Sequence, residues 1–439
     1  MIVMKFGGTS VGSAERIRNT CNIIKSNTKK KPVIVVSAVA KMTDALIKLA
    51  EECASANHRE GFKNIEKTHH KILEELEIKR TLLNDDLEEL RRLADETAKN
   101  RNNDGGTLDQ FQSFGEKMSS KMVAEYLNKI GLKAKAFNSW DLGFLTDSEF
   151  GNAEPLEIAY ANLKGKIKKL NVAPVITGFI GKNEEGEITT LGRGGSDYTA
   201  AVVGASIDAY EIQIWTDVDG MMSTDPKIVP NAKTLPLVSF AEASELAYFG
   251  AKVLHPKTIL PAMKKNIPVR VLNSLNPKGK GTIIVSKVAE SKDTVKAIAC
   301  KNNTTLISID SSRMLGSHGF MARIFYIFDK FRKSIDVIST SEVSVSLTLD
   351  DNEDIDNILK ELREFSNVEI SRNKSIVCVV GEGMRHMAGL AGRTFTAMGR
   401  NNINIEMISQ GASEINITFI VDGKDAEKAV RVLHREYFG

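Results

Sequence analysis

The chain is poor in the features that would assign it to an export, membrane or metal class. Its four cysteines, Cys21, Cys53, Cys300 and Cys378, are scattered and form no C-x-x-C pair. They supply neither a disulfide framework nor a thiolate metal site, and reduced thiols in a reducing compartment are expected. No apolar run approaches the roughly 20 residues that span a bilayer. The N-terminus enters a short strand and a glycine turn, without the apolar core and small-residue cleavage site of an export signal. A cytoplasmic location, with no membrane partner, is the expectation. Charge of one sign is also lacking. The 59 basic and 56 acidic residues leave a net charge of +3, without the concentrated basic excess of a nucleic-acid binder.

What is present is an ordinary globular mixture. Hydrophobic residues make up 42% and charged residues 26%, and 439 residues exceed what one core usually organises, so two or more domains are expected. The first part alternates strand-like and helix-like segments. Ile2 to Phe6 reads as a strand. Ser13 to Lys25 reads as a helix with Ser13 as N-cap, and Arg16 leaves the capping box incomplete. Continuous apolar runs at 32–39, 173–180, 212–216 and 269–273 suit strands buried on both faces of a parallel sheet. Leu83, Leu87, Leu90 and Leu93 keep helical spacing between them. This alternation predicts an α/β domain. A turn-rich, polar stretch from about 276 to 296 marks its end.

The tail repeats itself. Met314 and Met384, Phe325 and Phe395, and Ser334 and Asn404 are each 70 residues apart. After a two-residue insertion, Ser341-Glu-Val-Ser-Val matches Ser413-Glu-Ile-Asn-Ile at an offset of 72. Val343/Val345/Leu347 and Ile415/Ile417/Phe419 alternate as half-buried strands. Each unit reads as βαββαβ, so two ferredoxin-like α+β modules are expected.

Four motifs carry candidate chemistry. Lys5-Phe-Gly-Gly-Thr-Ser-Val11 lies between a strand and a helix, where backbone N–H groups make an anion site, but it lacks the spacing of a Walker A loop. Leu191-Gly-Arg-Gly-Gly-Ser-Asp197 precedes a helical stretch and presents an arginine fork to a carboxylate or phosphate. Trp215-Thr-Asp-Val-Asp-Gly-Met-Met-Ser-Thr-Asp-Pro-Lys227 ends a buried strand, at the strand end where α/β folds bind ligands. Phe249-Gly-Ala-Lys-Val-Leu-His-Pro256 sets Lys252 in an apolar stretch, snorkelling or reaching a phosphate, with His255 read as structural. In Phe114-Gly-Glu-Lys, Glu116 opens a helix after a glycine, which leaves capping and substrate binding both open.

In this order the motifs resemble the aspartate kinases, and the duplicated tail resembles their paired ACT regulatory domains. The resemblance covers essentially the whole chain and leaves nothing for a fused homoserine dehydrogenase. It implies an amino acid kinase fold, a parallel-rich sheet between helix layers, over 1–285. Two ACT modules follow over 303–373 and 374–439, the second completed by a strand from about 294–302. The implied reaction phosphorylates the side-chain carboxylate of L-aspartate with MgATP, the first step towards lysine, threonine and methionine. The acceptor arrives ionised, so no general base is needed, and positioning and charge neutralisation must do the catalysis.

The resemblance also implies roles. Lys5, Gly7 and Gly8 hold the transferred phosphoryl group, with Lys5, Gly8 and Asp197 catalytic. Arg193 clamps a carboxylate of aspartate, helped by Gly194, Gly195 and Ser196. Glu116 and Asp197 meet its ammonium or orient a neighbour, and Ser37 and Thr43 lie near it. Ser10, Thr216, Asp217, Met222, Asp225, Lys227 and Lys252 serve the nucleotide. Mg²⁺ is held mainly by ATP oxygens, with no dedicated protein site. Two departures stand out: Met222 replaces a common tyrosine, and Lys227 a common arginine. The first tail module resembles the lysine-sensitive, single-chain type. Its implied inhibitor site is Met314, Ser317, Gly319, Phe320, Ser334, Ile335, Asp336, Thr340, Ser341 and Glu342, taking L-lysine. Because Met384-Arg-His-Met-Ala departs from the first copy, the second module is expected to serve pairing, in a homodimer or dimer of dimers. A glutamate-type amino acid kinase and a non-catalytic sensor are the alternatives. The tandem tail weighs against the first, and the intact Lys5, Arg193 and Asp197 against the second.

Overall fold

The structure is a computed structural model. It describes every residue except 55–57, 102–103, 251–253, 255, 289–294, 312–313, 315–317, 351 and 412–414. The chain divides into two compact units. The first comprises 1–221, 234–240 and 253–287, and the second 222–233, 241–252 and 288–439. Two segments counted with the N-terminal domain from sequence, 222–233 and 241–252, thus fold with the C-terminal unit.

Among the described residues the first unit is built on an eight-stranded sheet. Its strands are β1 (Ile2–Phe6), β2 (Pro32–Val36), β3 (Ala134–Phe137), β4 (Ala173–Thr177), β7 (Ile212–Thr216), β8 (Leu237–Ser239), β9 (Val269–Asn273) and β10 (Thr282–Val285), in the order β3-β4-β2-β1-β7-β9-β10-β8. All neighbours are parallel except β9 and β10. A separate hairpin joins β5 (Ile180–Lys182) to β6 (Ile188–Thr190). The central strands are mostly apolar because helices cover both faces, with Lys5 of β1 and Gln213 of β7 as buried polar exceptions. Ile2, Met4, Phe6, Ile34, Val36 and Val175 face one side, in a core shared with α1 (Ala14–Ser26), α2 (Met42–Ala54), α4 (Asn84–Asn100) and α5 (Gly105–Lys129). By the two-residue period Val3 and Lys5 point the other way, where α7 (Gly195–Ile207) packs against β1. The Ser13 side chain caps α1 by accepting the Arg16 N–H.

The second unit carries a six-stranded antiparallel sheet of order β12-β13-β11-β14-β16-β15. These strands are β11 (Ala297–Asp310), β12 (Ile338–Thr340), β13 (Ser344–Leu349), β14 (Asn367–Val380), β15 (Met407–Ser409) and β16 (Asn416–Asp422). Helices α10 (Phe320–Lys330) and α11 (Ile355–Arg363) share one apolar cluster with the sheet, and α12 (Leu390–Arg400) and α13 (Ala426–Phe438) another. The long β11 serves both halves. Its start, Ala297–Lys301, pairs with Ile376–Val380 of β14, and Thr305–Asp310 pair with β13. Register shifts between Lys301 and Leu306 mark the change. Helix α8 (Phe240–Tyr248) belongs to this unit from residue 241 onward.

Candidate active site

The C-terminal ends of β1, β2 and β4 face the N-terminus of α7, and between them lies an open cleft of ≈ 600 Å³. Lys5, Gly8, Ser37, Thr43, Glu116, Arg193, Gly194, Gly195 and Ser196 all line it. Four stretches far apart in sequence therefore meet in one place. The reason is parallel topology, which brings successive strand ends, with their loops, to one edge of the sheet.

The Lys5 ammonium, near the end of β1, lies 2.6 Å from Asp197 Oδ1 in the first turn of α7, and both side chains are largely buried. The backbone turns just after Lys5, where the Gly7 N–H donates to Trp215 O at 3.1 Å. The arginine loop depends on two residues in the left-handed region, Gly192 (φ +71°) and Gly194 (φ +74°), which leave Arg193 exposed between them. Gly195 and Ser196, the first residues of α7, line the same cleft as Lys5, while the Gly195 and Asp197 N–H groups donate to Gly192 O and Gly194 O at 3.0 and 2.9 Å. A lysine charge and a helix N-terminus in one cleft make a site for anionic oxygens.

Glu116 does not open a helix. It sits midway along the 25-residue α5, so the capping reading is incorrect. The N-cap is Asp104, whose side chain accepts the Thr107 N–H at 2.8 Å. Gly115 stands in mid-helix because a Cβ there would come within 2.6 Å of Ala38 Cβ. The Glu116 carboxylate is buried. Its Oε1 accepts the Ala38 N–H at 2.9 Å, and its Oε2 has no hydrogen-bond partner among the described residues. Burial pushes this carboxyl up to about 8, against the opposing pull of the Ala38 N–H and Lys5. A buried acid with an unfilled oxygen beside a cleft is suited to receive an ammonium.

Several lining residues carry no sequence signal. Gln112 lies one helical turn before Glu116, and Lys41 and Phe179 adopt left-handed φ values of 65° and 66°. Such conformations are uncommon for bulky residues and cluster at functional sites.

Other expected residues lie elsewhere. Ser10 is buried outside the cleft, its hydroxyl 2.8 Å from that of Ser274. Thr216 and Asp217 share a hydrogen bond of 3.2 Å at the exposed end of β7. Met222, Asp225 and Lys227 belong to the second unit, where Asp225 Oδ1 accepts the Lys227 N–H at 2.8 Å. Lys252, His255 and Ser317 lie outside the described residues.

In the second unit Gly319 (φ +79°) and Gly389 (φ +84°) precede α10 and α12 at the positions the 70-residue offset relates. Met314, Phe320 and Ile335 pack on the α10–α11 core. Ser341 and Ser344 join hydroxyls at 2.7 Å in the turn after Thr340, with Glu342 exposed between them. The Asp336 side chain is buried. Its Oδ1 lies 2.7 Å from Lys301 Nζ and accepts the Tyr248 hydroxyl at 2.9 Å, while Ser334 also bonds that hydroxyl. Asp336 Oδ2 is buried without a hydrogen-bond partner among the described residues, and burial raises this carboxyl above its usual range against the pull of Lys301. Lys301 also reaches Asp350 at 2.8 Å. The second copy repeats this arrangement: Lys374 lies 2.6 Å from Glu406 and 3.4 Å from Asp422.

The chain is similar to known proteins along essentially its whole length. Residues 1–273 match the amino acid kinase family and residues 377–437 the ACT domain. Aspartokinase 2, chloroplastic, of Arabidopsis thaliana is 41% identical over 99% of this chain and 84% of its own length. Lysine-sensitive aspartokinase 3 of Escherichia coli (strain K12) is 38% identical over 100% of this chain and 99% of its own. The crystal structure of E. coli aspartokinase III in complex with aspartate and ADP (R-state) covers both chains fully, with a TM-score of 0.88 at 35% identity. The same enzyme in complex with lysine and aspartate (T-state) gives 0.83 at 36%, again over both full chains. No helix among the described residues is long and apolar enough to cross a membrane.

Proposed function

The chain belongs to the aspartokinases, and on that premise we propose that its cleft is where the γ-phosphoryl group of ATP passes to the side-chain carboxylate of L-aspartate, giving 4-phospho-L-aspartate. The observation that carries the site assignment is the convergence of Lys5, Arg193 and Glu116 on one cleft at the head of α7. Aspartate has two carboxylates and one ammonium, and the cleft offers a complement to each.

In this reading the Arg193 fork, with Ser196, takes the carboxylate that does not react. Glu116 receives the ammonium through its unfilled oxygen. The reacting carboxylate is already ionised at neutral pH, its usual value being about 3.9, so no residue need remove a proton. Lys5 and the positive end of the α7 dipole neutralise charge on the transferred phosphoryl oxygens, the largest contribution open to a site of this kind. Asp197 holds the Lys5 ammonium in place. Gly7 and Gly8 leave the backbone open to phosphate, and Thr216 and Asp217 contact the nucleotide. Met222, Asp225, Lys227 and Lys252 are assigned to the nucleotide on family resemblance alone. Mg²⁺ held mainly by the ATP oxygens, with few protein ligands, would supply further neutralisation of phosphate charge.

Regulation belongs to the second unit. Free lysine binds the first ACT module, 303–373, with Asp336 as an ammonium partner, and the second module, 374–439, serves pairing between chains. This module assignment, the cytoplasmic location and the dimer are parts of the same proposal. A coupled ADP-release assay over aspartate, glutamate and acetylglutamate, run with and without lysine, tests it. Turnover with glutamate but not aspartate would overturn the acceptor assignment, and indifference to millimolar lysine the regulatory one.

A further inference from the structure

We propose that Asp109 is a positioning residue for the aspartate end of the cleft. It lies in the second turn of α5, two turns before Glu116, and is 1% exposed. Among the described residues no cation neutralises it; three hydrogen bonds satisfy it instead. Its Oδ2 accepts the N–H of Gly151 at 2.9 Å and the N–H of Thr190 at 2.7 Å, and its Oδ1 accepts the Thr190 hydroxyl at 2.8 Å. Gly151 and Thr190 both line the cleft.

The placement has a direct consequence for Arg193. Thr190 ends β6, and two residues later the chain enters the left-handed Gly192 that begins the arginine loop. The Ala153 N–H donates to Thr190 O at 2.8 Å, and the Leu191 N–H to Phe179 O at 2.9 Å. One buried carboxylate therefore ties α5, the loop around Gly151 and the base of the arginine loop into a single body. Burial raises the Asp109 carboxyl above its usual range, and the same three bonds oppose that rise. Burying a carboxylate costs free energy unless it is fully hydrogen-bonded. Here the bonds go to groups that shape the cleft and to no ligand. An arginine fork binds well only when its base is fixed, because a displacement of about 1 Å at a clamp costs on the order of 10²-fold in rate.

The inference rests on the reading that Arg193 clamps aspartate, and the test separates the two. Steady-state constants for aspartate and ATP are measured for the parent, Arg193→Ala, Asp109→Ala, Asp109→Asn and Thr190→Val, with thermal melting of each. Asp109→Ala is expected to raise the KM for aspartate about tenfold or more and leave the KM for ATP within about twofold. Asp109→Asn is expected to restore it, since an amide oxygen can accept both N–H groups while its NH₂ donates to the Thr190 hydroxyl. Thr190→Val, which removes one bond of three, is expected to raise the aspartate KM about threefold and decides the case if Asp109→Ala fails to fold. An unchanged aspartate KM in Thr190→Val and in folded Asp109→Ala overturns the proposal. So does an equal rise for both substrates, which would mark a general loss of structure. If Arg193→Ala itself leaves the aspartate KM unchanged, the clamp assignment fails instead.

Discussion

The Lys5 ammonium stands 2.6 Å from Asp197, joining the end of β1 to the first turn of α7 across the floor of the cleft. A lysine so held points its charge at one place and pays little entropy when a phosphate arrives. Lys5→Ala should lower kcat on the order of 10³-fold, the scale seen when one preorganised charge-stabilising donor is removed. ATP affinity, measured by titration, should change by less than about threefold. Retained turnover would refute the role given to Lys5.

Glu116 makes the enzyme's behaviour depend on pH. Burial pushes its carboxyl up to about 8 in the folded protein, against an ordinary 4.5. Between those values the folded protein keeps a proton that the unfolded chain has lost. The stability due to this site is therefore complete below the lower value and is lost as pH rises through the higher one. Glu116→Gln cannot titrate, so its melting temperature relative to the parent should rise from about pH 5 to about pH 9. Parallel melting curves would contradict this.

The same group links aspartate binding to proton release. An arriving ammonium favours the ionised carboxylate, so the aspartate KM should fall as pH rises towards 8. Glu116→Gln should remove that trend and raise the KM overall. A KM for the parent that is flat over the range would exclude Glu116 as the ammonium partner.

Gly195 begins α7 with no room for a side chain. A Cβ there would lie 2.7 Å from Phe179 Cδ2 and 3.0 Å from Leu191 Cβ. Gly195→Ala should cost about 1–3 kcal/mol of stability, the usual penalty for overpacking. Because Phe179 and the arginine loop must shift to make room, the aspartate KM should rise with it. Denaturant melting and steady-state kinetics check both, and a neutral substitution would show that the cleft is looser than its contacts imply.

Asp336 is already engaged, by Lys301 and Tyr248. A lysine inhibitor binding there competes with an ammonium the chain supplies itself. Asp336→Asn should raise the half-inhibitory lysine concentration at least about tenfold, a loss of about 1.4 kcal/mol, and leave uninhibited turnover unchanged. Undiminished inhibition would move the effector site elsewhere.

Much of this was open to reading in one dimension. The runs at Ile2–Phe6, Pro32–Val36, Ile212–Thr216 and Val269–Asn273 became parallel strands because a strand covered on both faces must be apolar at most positions. The glycine loops at Gly7-Gly8 and Gly192–Gly195 were visible because backbone that approaches a ligand or takes positive φ tolerates little else. The 70-residue offset was visible because both copies keep the same turns and strand periods.

Other features depended on contacts between distant segments. Gly115 suggested a helix start at Glu116; the glycine instead answers Ala38 on another strand's loop, and the helix runs straight through it. Asp109 looks like any polar helix residue until Gly151 and Thr190 fold against it. The segments 222–233 and 241–252 lie between strands of the first unit in sequence yet fold with the second. Local sterics and periodicity dictate the main strands, the turns and the duplicated tail, so these are written in the order of residues. Which carboxylates are buried and what each one holds follow from the folded packing, because burial and hydrogen-bond partnership arise from residues that neighbour one another in space alone.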